Sequence, residues 1–278
     1  MAALGTYASE EQIRALEHQM GLDQPVMLQY TTFLKNLCHG ELGKSLITHQ
    51  SVAKEIAKVF PYTFDLTVSG MFLGILMGVP LGILTAIKRN RLPDYLGRIF
   101  SLTGISVPEF YLGILLMYIF AVKLNMFPVV GAGDPGNLGE RLYHLVLPAF
   151  TLGIAMTAFV SRMTRSSMLN VLGEDYVRTA RAKGVSEGMT IYKHALRNAL
   201  IPTTTVVGLY ATVLMGGSVL TEIVFSRPGL GKMMVFAVKD RDYMTLQAVI
   251  VIFSAAVFFL NLVTDILYAL IDPRIKYH

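Results

Sequence analysis

The chain reads as an all-α, polytopic membrane protein, and three observations lead there. Mean hydropathy is +0.53, 53% of residues are hydrophobic and only 15% are charged, whereas a soluble domain carries about 25% charged residues. Five apolar stretches recur, at about 66–87, 99–122, 142–161, 198–221 and 244–270, each near the ~20 residues a helix needs to cross the hydrocarbon core. The basic residues fall in segments between these stretches. The net charge of +5 is therefore a topology signal rather than a nucleic-acid surface. A membrane domain over 62–272 follows, preceded by a soluble segment over 1–61.

In the soluble segment, Ser9 with Gln12 predicts a capping box, Glu10 and Glu11 suit a first helical turn, and Gly21 is a stop signal. Pro25 opens a second helix, with Val26, Tyr30, Phe33, Leu34 and Leu37 along one stripe. Gly43-Lys44-Ser45 resembles the end of a phosphate-binding loop. That motif needs glycine five residues before Gly43, where Cys38 stands. Cys38 is the sole cysteine, so neither an intrachain disulfide nor a cysteine-cluster metal site exists.

The first apolar stretch, Leu66 to Ile87, has no charge over 22 residues, about 33 Å as a helix. Gly70, Gly74, Gly78 and Gly82 recur every four residues along it, a small-residue stripe suited to close helix packing in lipid. The second is interrupted by Pro108-Glu109. A carboxylate inside a membrane is expensive, so Glu109 either faces protein, water or a translocation path, or lies near the interface. Lys123 to Arg141 is a loop rich in glycine and proline. Pro148 is a tolerated kink in the third stretch. Glu222 to Asp242 forms a polar loop; Asp265 lies near the end of the fifth stretch, and Asp272-Pro273-Arg274 follows it.

Segments 88–98, 162–197 and 272–278 hold 13 of the 24 Lys and Arg, the other side 11. Counting only the short flanks of the spans makes the first group cytoplasmic. Segments 1–61, 123–141 and 222–242 are then external. An external segment 1–61 with no span to export it predicts a further helix upstream of Met1.

The longest polar interruption in the C-terminal half is Asp175 to Pro202. It predicts two helices meeting at a turn near Gly184-Val185-Ser186. Arg178, Arg181, Lys183, Lys193 and Arg197 face only Asp175 and Glu187, and Ala180, Ala182 and Gly184 leave little bulk at the centre. Two readings stand: a docking element that another protein's surface approaches closely, or a basic loop that only sets topology.

This segment resembles the EAA loop of ABC-transporter permeases, in the variant of the dipeptide, oligopeptide and nickel importers. Arg178-Thr179-Ala180, then Gly184, then Ile201-Pro202 follow its pattern. The Glu and first Ala are absent and the gap to the proline is longer, while ARAKG matches the peptide/nickel branch. Gly21-Leu22-Asp23-Gln24-Pro25, Gly40 to Ser45, Phe225-Ser226-Arg227-Pro228-Gly229-Leu230-Gly231 and Arg241-Asp242-Tyr243 resemble further motifs of that branch, so the likeness runs from about residue 10 to the end.

The resemblance implies the type I ABC importer permease fold of MetI-like proteins, with five visible spans, the family's first helix missing, and a cytoplasmic coupling loop over 163–202. Residues Arg178, Thr179, Ala180, Arg181, Ala182, Lys183, Gly184 and Val185 would dock on the ATPase. The implied partners are a second permease subunit, two ATPase subunits, an external substrate-binding protein and the bilayer of a prokaryotic cell membrane. Glu109 and Glu222 are candidates for the translocation path or its gate.

No cofactor and no activity as an enzyme are expected. His18, His39, His49, His144, His194 and His278 have no metal-ligand spacing, and no nucleotide loop or nucleophile elbow is present. Peptide is the leading substrate class and nickel the alternative. A secondary transporter would need coupling residues, for which only Glu109 and Asp265 offer themselves. An intramembrane enzyme would need paired catalytic residues, and a purely structural subunit would leave the long basic loop unexplained.

Overall fold

The computed structural model describes residues 23–271, with side chains to 266. The capping box at Ser9, the Gly21 stop and the Asp272-Pro273-Arg274 signature lie outside these residues. The described helices are α1 (Val26–Cys38), α2 (Val52–Ile87), α3 (Leu92–Ser106), α4 (Glu109–Lys123), α5 (Leu138–Leu172), α6 (Asp175–Ala182), α7 (Glu187–Val224), α8 (Leu230–Lys239) and α9 (Tyr243–Ile271). Among the described residues, four are long and apolar enough to cross a membrane, and α3 with α4 makes a fifth, broken span.

Helix α1 forms where Pro25 and its apolar stripe predict, yet none of its residues is buried in the chain. Helix α2 starts at Val52, well before the uncharged stretch. Val52 and Ile56 pack on Leu230, Ala248 and Val249, and that burial extends the helix past Lys54, Glu55 and Lys58.

The glycine stripe of α2 meets a matching four-residue stripe on α5, which runs parallel to it. A β-carbon on Gly70 would lie 2.9 Å from Leu152 Cβ, on Gly74 2.5 Å from Met156 Cγ, on Gly78 2.7 Å from Val160 Cβ, and on Gly82 2.5 Å from Thr164 Cβ. The two backbones approach as closely as the missing side chains allow. Leu66, Leu145, Leu152, Met156, Val160, Tyr210 and Leu214 form the central core of α2, α5 and α7. In α5, 72% of the most apolar stretch is buried within the chain, against 11% in α9, so α5 is the axis of the bundle and α9 lies at its edge.

The break between α3 and α4 turns the chain by 107°. Pro108 removes a backbone donor and forces the residue before it out of the helical region. Val107 is accordingly extended, with φ −81° and ψ 125°. Pro148 stays within α5. The 222–242 segment, expected as a polar loop, contains α8, because Leu230 and Ala237 find buried positions.

Candidate functional site

The proposed coupling element is α6, the turn after it and the start of α7. Asp175 sits in the first turn of α6, where a carboxylate favours the positive end of the helix dipole. The helix ends in a Schellman motif: Val185 N–H donates to Ala180 O at 3.2 Å, and Gly184 N–H to Arg181 O at 2.9 Å. That motif needs a left-handed residue, and Gly184 supplies it with φ +80°. The guanidinium of Arg181 then closes the turn on Glu187, with bonds of 3.1 and 2.8 Å, and Arg178 pairs with Asp175 at 3.4 Å.

Arg178, Thr179, Arg181, Ala182, Lys183 and Gly184 are exposed; Ala180 and Val185 are half-buried. A β-carbon on Gly184 would meet nothing within 4 Å. The eight residues thus form one projecting turn. Val177 is fully buried, and Ile191, Ala195 and Ala199 join Ile83, Ala86 and Met168 in a core beneath it. Residues Thr190–Ala195 of α7 widen into a π-helical turn.

Glu109 opens α4 immediately after the break and faces α7. Tyr210 OH donates to its Oε1 at 3.4 Å, and a β-carbon on Gly217 would overlap its carboxylate. Glu222 is fully buried near the other end of α7. Thr63 OH donates to it at 2.6 Å and Lys232 N–H at 2.9 Å, while Leu230 N–H donates to Thr63 Oγ1 at 2.8 Å. A β-carbon on Gly229 would overlap the Glu222 carboxylate. The 225–231 motif is therefore folded over Glu222, and the two glutamates occupy separate contacts rather than one site.

Beside this clip, Arg227 is fully buried and all three of its guanidinium nitrogens lack hydrogen-bond partners. It lies 5.4 Å from the Tyr62 ring centre. Burial pushes it below the ordinary arginine range, Asp65 opposes that shift and Arg141 reinforces it. Asp65 is ion-paired with Arg141.

Two further pairings escaped the sequence reading. Asp94 is fully buried and takes a bidentate contact from Arg165, at 2.6 and 3.0 Å, with Arg98 3.6 Å away. It locks α3 to α5 at the end of the bundle that carries α6. At the opposite end, Ser45 OH donates to Asp242 Oδ2 at 2.5 Å, and Thr245 OH to the same oxygen at 2.8 Å. Burial alone would raise the Asp242 carboxyl, but these bonds, with those from the Thr245 and Leu46 amides, hold it below the usual carboxylate range. Gly43-Lys44-Ser45 and Arg241-Asp242-Tyr243, noticed separately as motifs, are two halves of one clasp. Among the described residues, no three His, Cys, Asp or Glu side chains are placed to hold a metal ion.

Comparison with known proteins gives this geometry a context. The family model described as binding-protein-dependent transport system inner membrane component matches residues 78–277, and the model of that family's N-terminal part matches residues 1–67. The chain is 45% identical over 273 residues to the glutathione transport system permease protein GsiC of Salmonella paratyphi A, covering 98% of this chain and 87% of that protein. Identity to the Escherichia coli K12 protein of the same name is 44%, with the same coverage. Among solved structures, an inward-facing MetNI methionine ABC transporter aligns with a TM-score of 0.64 at 18% identity, over 78% of this chain and 96% of that one. An amino acid ABC transporter aligns with a TM-score of 0.56 at 17% identity, over 80% and 94%. These structures share the all-α permease fold, and the sequence relatives are named as transport system permease proteins. The chain belongs to the family of binding-protein-dependent transport system inner membrane components, as an ABC importer permease subunit.

Proposed function

We propose that this permease imports small peptides, di- and tripeptides with glutathione among them, in a complex with a second permease subunit, two ATPase subunits and an external binding protein. ATP is hydrolysed by the separate ATPase subunits. The observation that carries the coupling half of this reading is the projecting turn at Gly184. It is exposed, low in bulk, internally braced by Arg181 and Glu187, and seated on a packed core. A rigid element of this kind transmits a push from a docked subunit into α5 and α7, which a floppy topological loop would absorb. Substrate class rests on the likeness along 98% of the chain to permeases named for glutathione transport.

In this reading the end of the bundle bearing α6 is cytoplasmic, and the Ser45–Asp242 and Glu222–Gly229 clips are external. Glu222 serves the gate by holding the 225–231 loop in the shape that the binding protein meets. Glu109, at the broken span, faces the path. The test is uptake by proteoliposomes containing the whole complex, binding protein and ATP. Labelled glutathione and dipeptides accumulate only with ATP and with both permeases present. Transport of a different class, such as nickel ion, with no uptake of any peptide would overturn the peptide assignment.

A further inference from the structure

Helix α1 is amphipathic, yet the chain covers little of it. None of its residues is buried. Gln29, Phe33 and Leu37 are half-buried, while Met27 is 74% exposed and Tyr30 57%. At about 100° per residue, the three half-buried residues form one stripe along the helix. Met27, Tyr30, Leu34 and Cys38 make an exposed, apolar flank on one side of that stripe. Thr31, Thr32, Lys35 and Asn36 make a polar flank on the other, with Leu28 the apolar residue among them.

Two observations fix where this helix lies. First, the segment from Gln24 to Asn36 lines one wall of a groove whose other wall is Tyr243, Met244 and Gln247 of α9. Helix α1 has 13 residues and is about 20 Å long, whereas the stretch 243–247 rises only about 6 Å. Helix α1 therefore crosses the end of α9 instead of running along it. Because α9 is long and apolar enough to span the membrane, α1 lies flat to the bilayer plane. Second, Lys239, Asp240 and Arg241 end just before Tyr243, where the apolar stretch of α9 begins. A change from charged to apolar sequence at the start of a span marks the membrane surface. The chain leaving α1 is held at the same level: Ser45 donates to Asp242, and a β-carbon on Gly43 would lie 2.8 Å from Met244 Cε.

A flat amphipathic helix at the end of a span, with Tyr30 and Tyr243 at the polar–apolar boundary, has the form of an interfacial helix. We propose that α1 lies in the headgroup layer of the bilayer, with Met27, Tyr30, Leu34 and Cys38 turned to the acyl chains and Thr31, Thr32, Lys35 and Asn36 to water. The apolar flank adjoins the first turn of α9, where Tyr243 is 52% exposed, and only 11% of the most apolar stretch of α9 is covered by the chain. Lys35 is the single charge on α1, too sparse a pattern for a protein partner to read, so buried apolar area carries the attachment. The helix thereby ties the Ser45–Asp242 clasp to the membrane surface. Membrane location alone carries this placement, which depends neither on the substrate nor on which end of the bundle is cytoplasmic.

The test uses the chain with the subunits that co-purify with it, in phosphatidylcholine–phosphatidylglycerol liposomes. In a Cys38→Ser background, Met27→Cys, Tyr30→Cys and Leu34→Cys sample the apolar flank, and Thr31→Cys and Lys35→Cys the polar one. Each cysteine carries a nitroxide spin label, and the Cys38→Ser complex supplies the background signal. All five positions are exposed in the chain, so a label displaces no packed side chain. Collision with oxygen, which concentrates in lipid, is compared with collision with a nickel chelate, which stays in water. The oxygen-to-nickel ratio is expected to be severalfold higher at Met27, Tyr30 and Leu34 than at Thr31 and Lys35, rising and falling with the helical period. If one apolar-flank variant fails to assemble, the other two carry the same comparison. Frequent nickel collisions on both flanks would put α1 in water. Few collisions with either reagent at Met27, Tyr30 and Leu34 would put that flank against another protein. Either result overturns the proposal.

Discussion

Two demands meet at Gly184. The backbone demand is a left-handed conformation, φ +80°, which costs a residue with a β-carbon about 1–2 kcal/mol. The second, in the proposed coupling role, is room for a docked surface; within the chain nothing lies near the absent β-carbon. Asparagine tolerates the left-handed region and separates the two. Gly184→Asn and Gly184→Arg are expected to reach the membrane at normal levels, to co-purify less ATPase and to lose substrate-stimulated ATP hydrolysis. Wild-type hydrolysis in both would reduce the turn to a topological anchor. Asp242 presents a different single-residue case. Its folded pKa is held below the unfolded value of about 3.9. Ionised Asp242 therefore stabilises the fold above that value, and the contribution disappears as pH falls below it. Asp242→Ala leaves the Ser45 and Thr245 hydroxyls without their acceptor and costs about 1–3 kcal/mol at neutral pH. Thermal unfolding of the purified chain should show the gap between wild type and variant narrowing below about pH 4. A gap that persists unchanged at pH 3 would contradict the assignment.

Among the elements, the α2–α5 contact is where packing is least forgiving. Gly74→Ala puts a β-carbon 2.5 Å from Met156 Cγ and 2.6 Å from its Cβ. Neither atom is the far end of a flexible side chain, so the helices must part, at about 1–3 kcal/mol. Gly216→Ala on α7 meets nothing within 4 Å and serves as the comparison. Heating the detergent-solubilised chain and measuring the monodisperse fraction should place Gly74→Ala well below wild type and Gly216→Ala beside it. The α3–α5 lock is electrostatic. Arg165→Met strands a fully buried Asp94, and breaking a buried pair from one side costs about 3–5 kcal/mol. The same assay should find Arg165→Met at least as damaged as Gly74→Ala. A near-neutral result would mean that Arg98, 3.6 Å from the same carboxylate, takes over the pairing.

For the whole molecule, the two ends of the bundle differ in kind. One carries α6, the Asp94–Arg165 lock and the basic segment 88–98; the other carries the Ser45–Asp242 and Glu222–Thr63 clips. On the charge bias, we propose that the first end is cytoplasmic. In a Cys38→Ser background, needed because Cys38 is exposed, a cysteine at Arg89 should react with an impermeant thiol reagent only from the cytoplasmic side. One at Asp134 should react only from outside. Both positions are exposed in the structure, so failure to label cannot be ascribed to burial, and the reverse pattern would invert the orientation of every element.

Periodicity and backbone chemistry were local enough to be read directly. Apolar stretches long enough to span, the break at Pro108, the four-residue glycine stripe and the turn near Gly184 each depend on residues a few positions apart. The motifs of the peptide-importer branch placed the chain in its family without any structure. What each motif does was a tertiary matter. Ser45 meets Asp242 across 197 residues, Thr63 meets Glu222 across 159, Tyr210 meets Glu109 across 101, and Arg165 meets Asp94 across 71. In an apolar setting each buried polar group must find a partner, and the sequence identifies the groups that need one. Which group meets which depends on how each helix is rotated and shifted against its neighbours. A run of apolar residues on all sides of a helix carries no record of that rotation, so only the packed bundle decided the pairings.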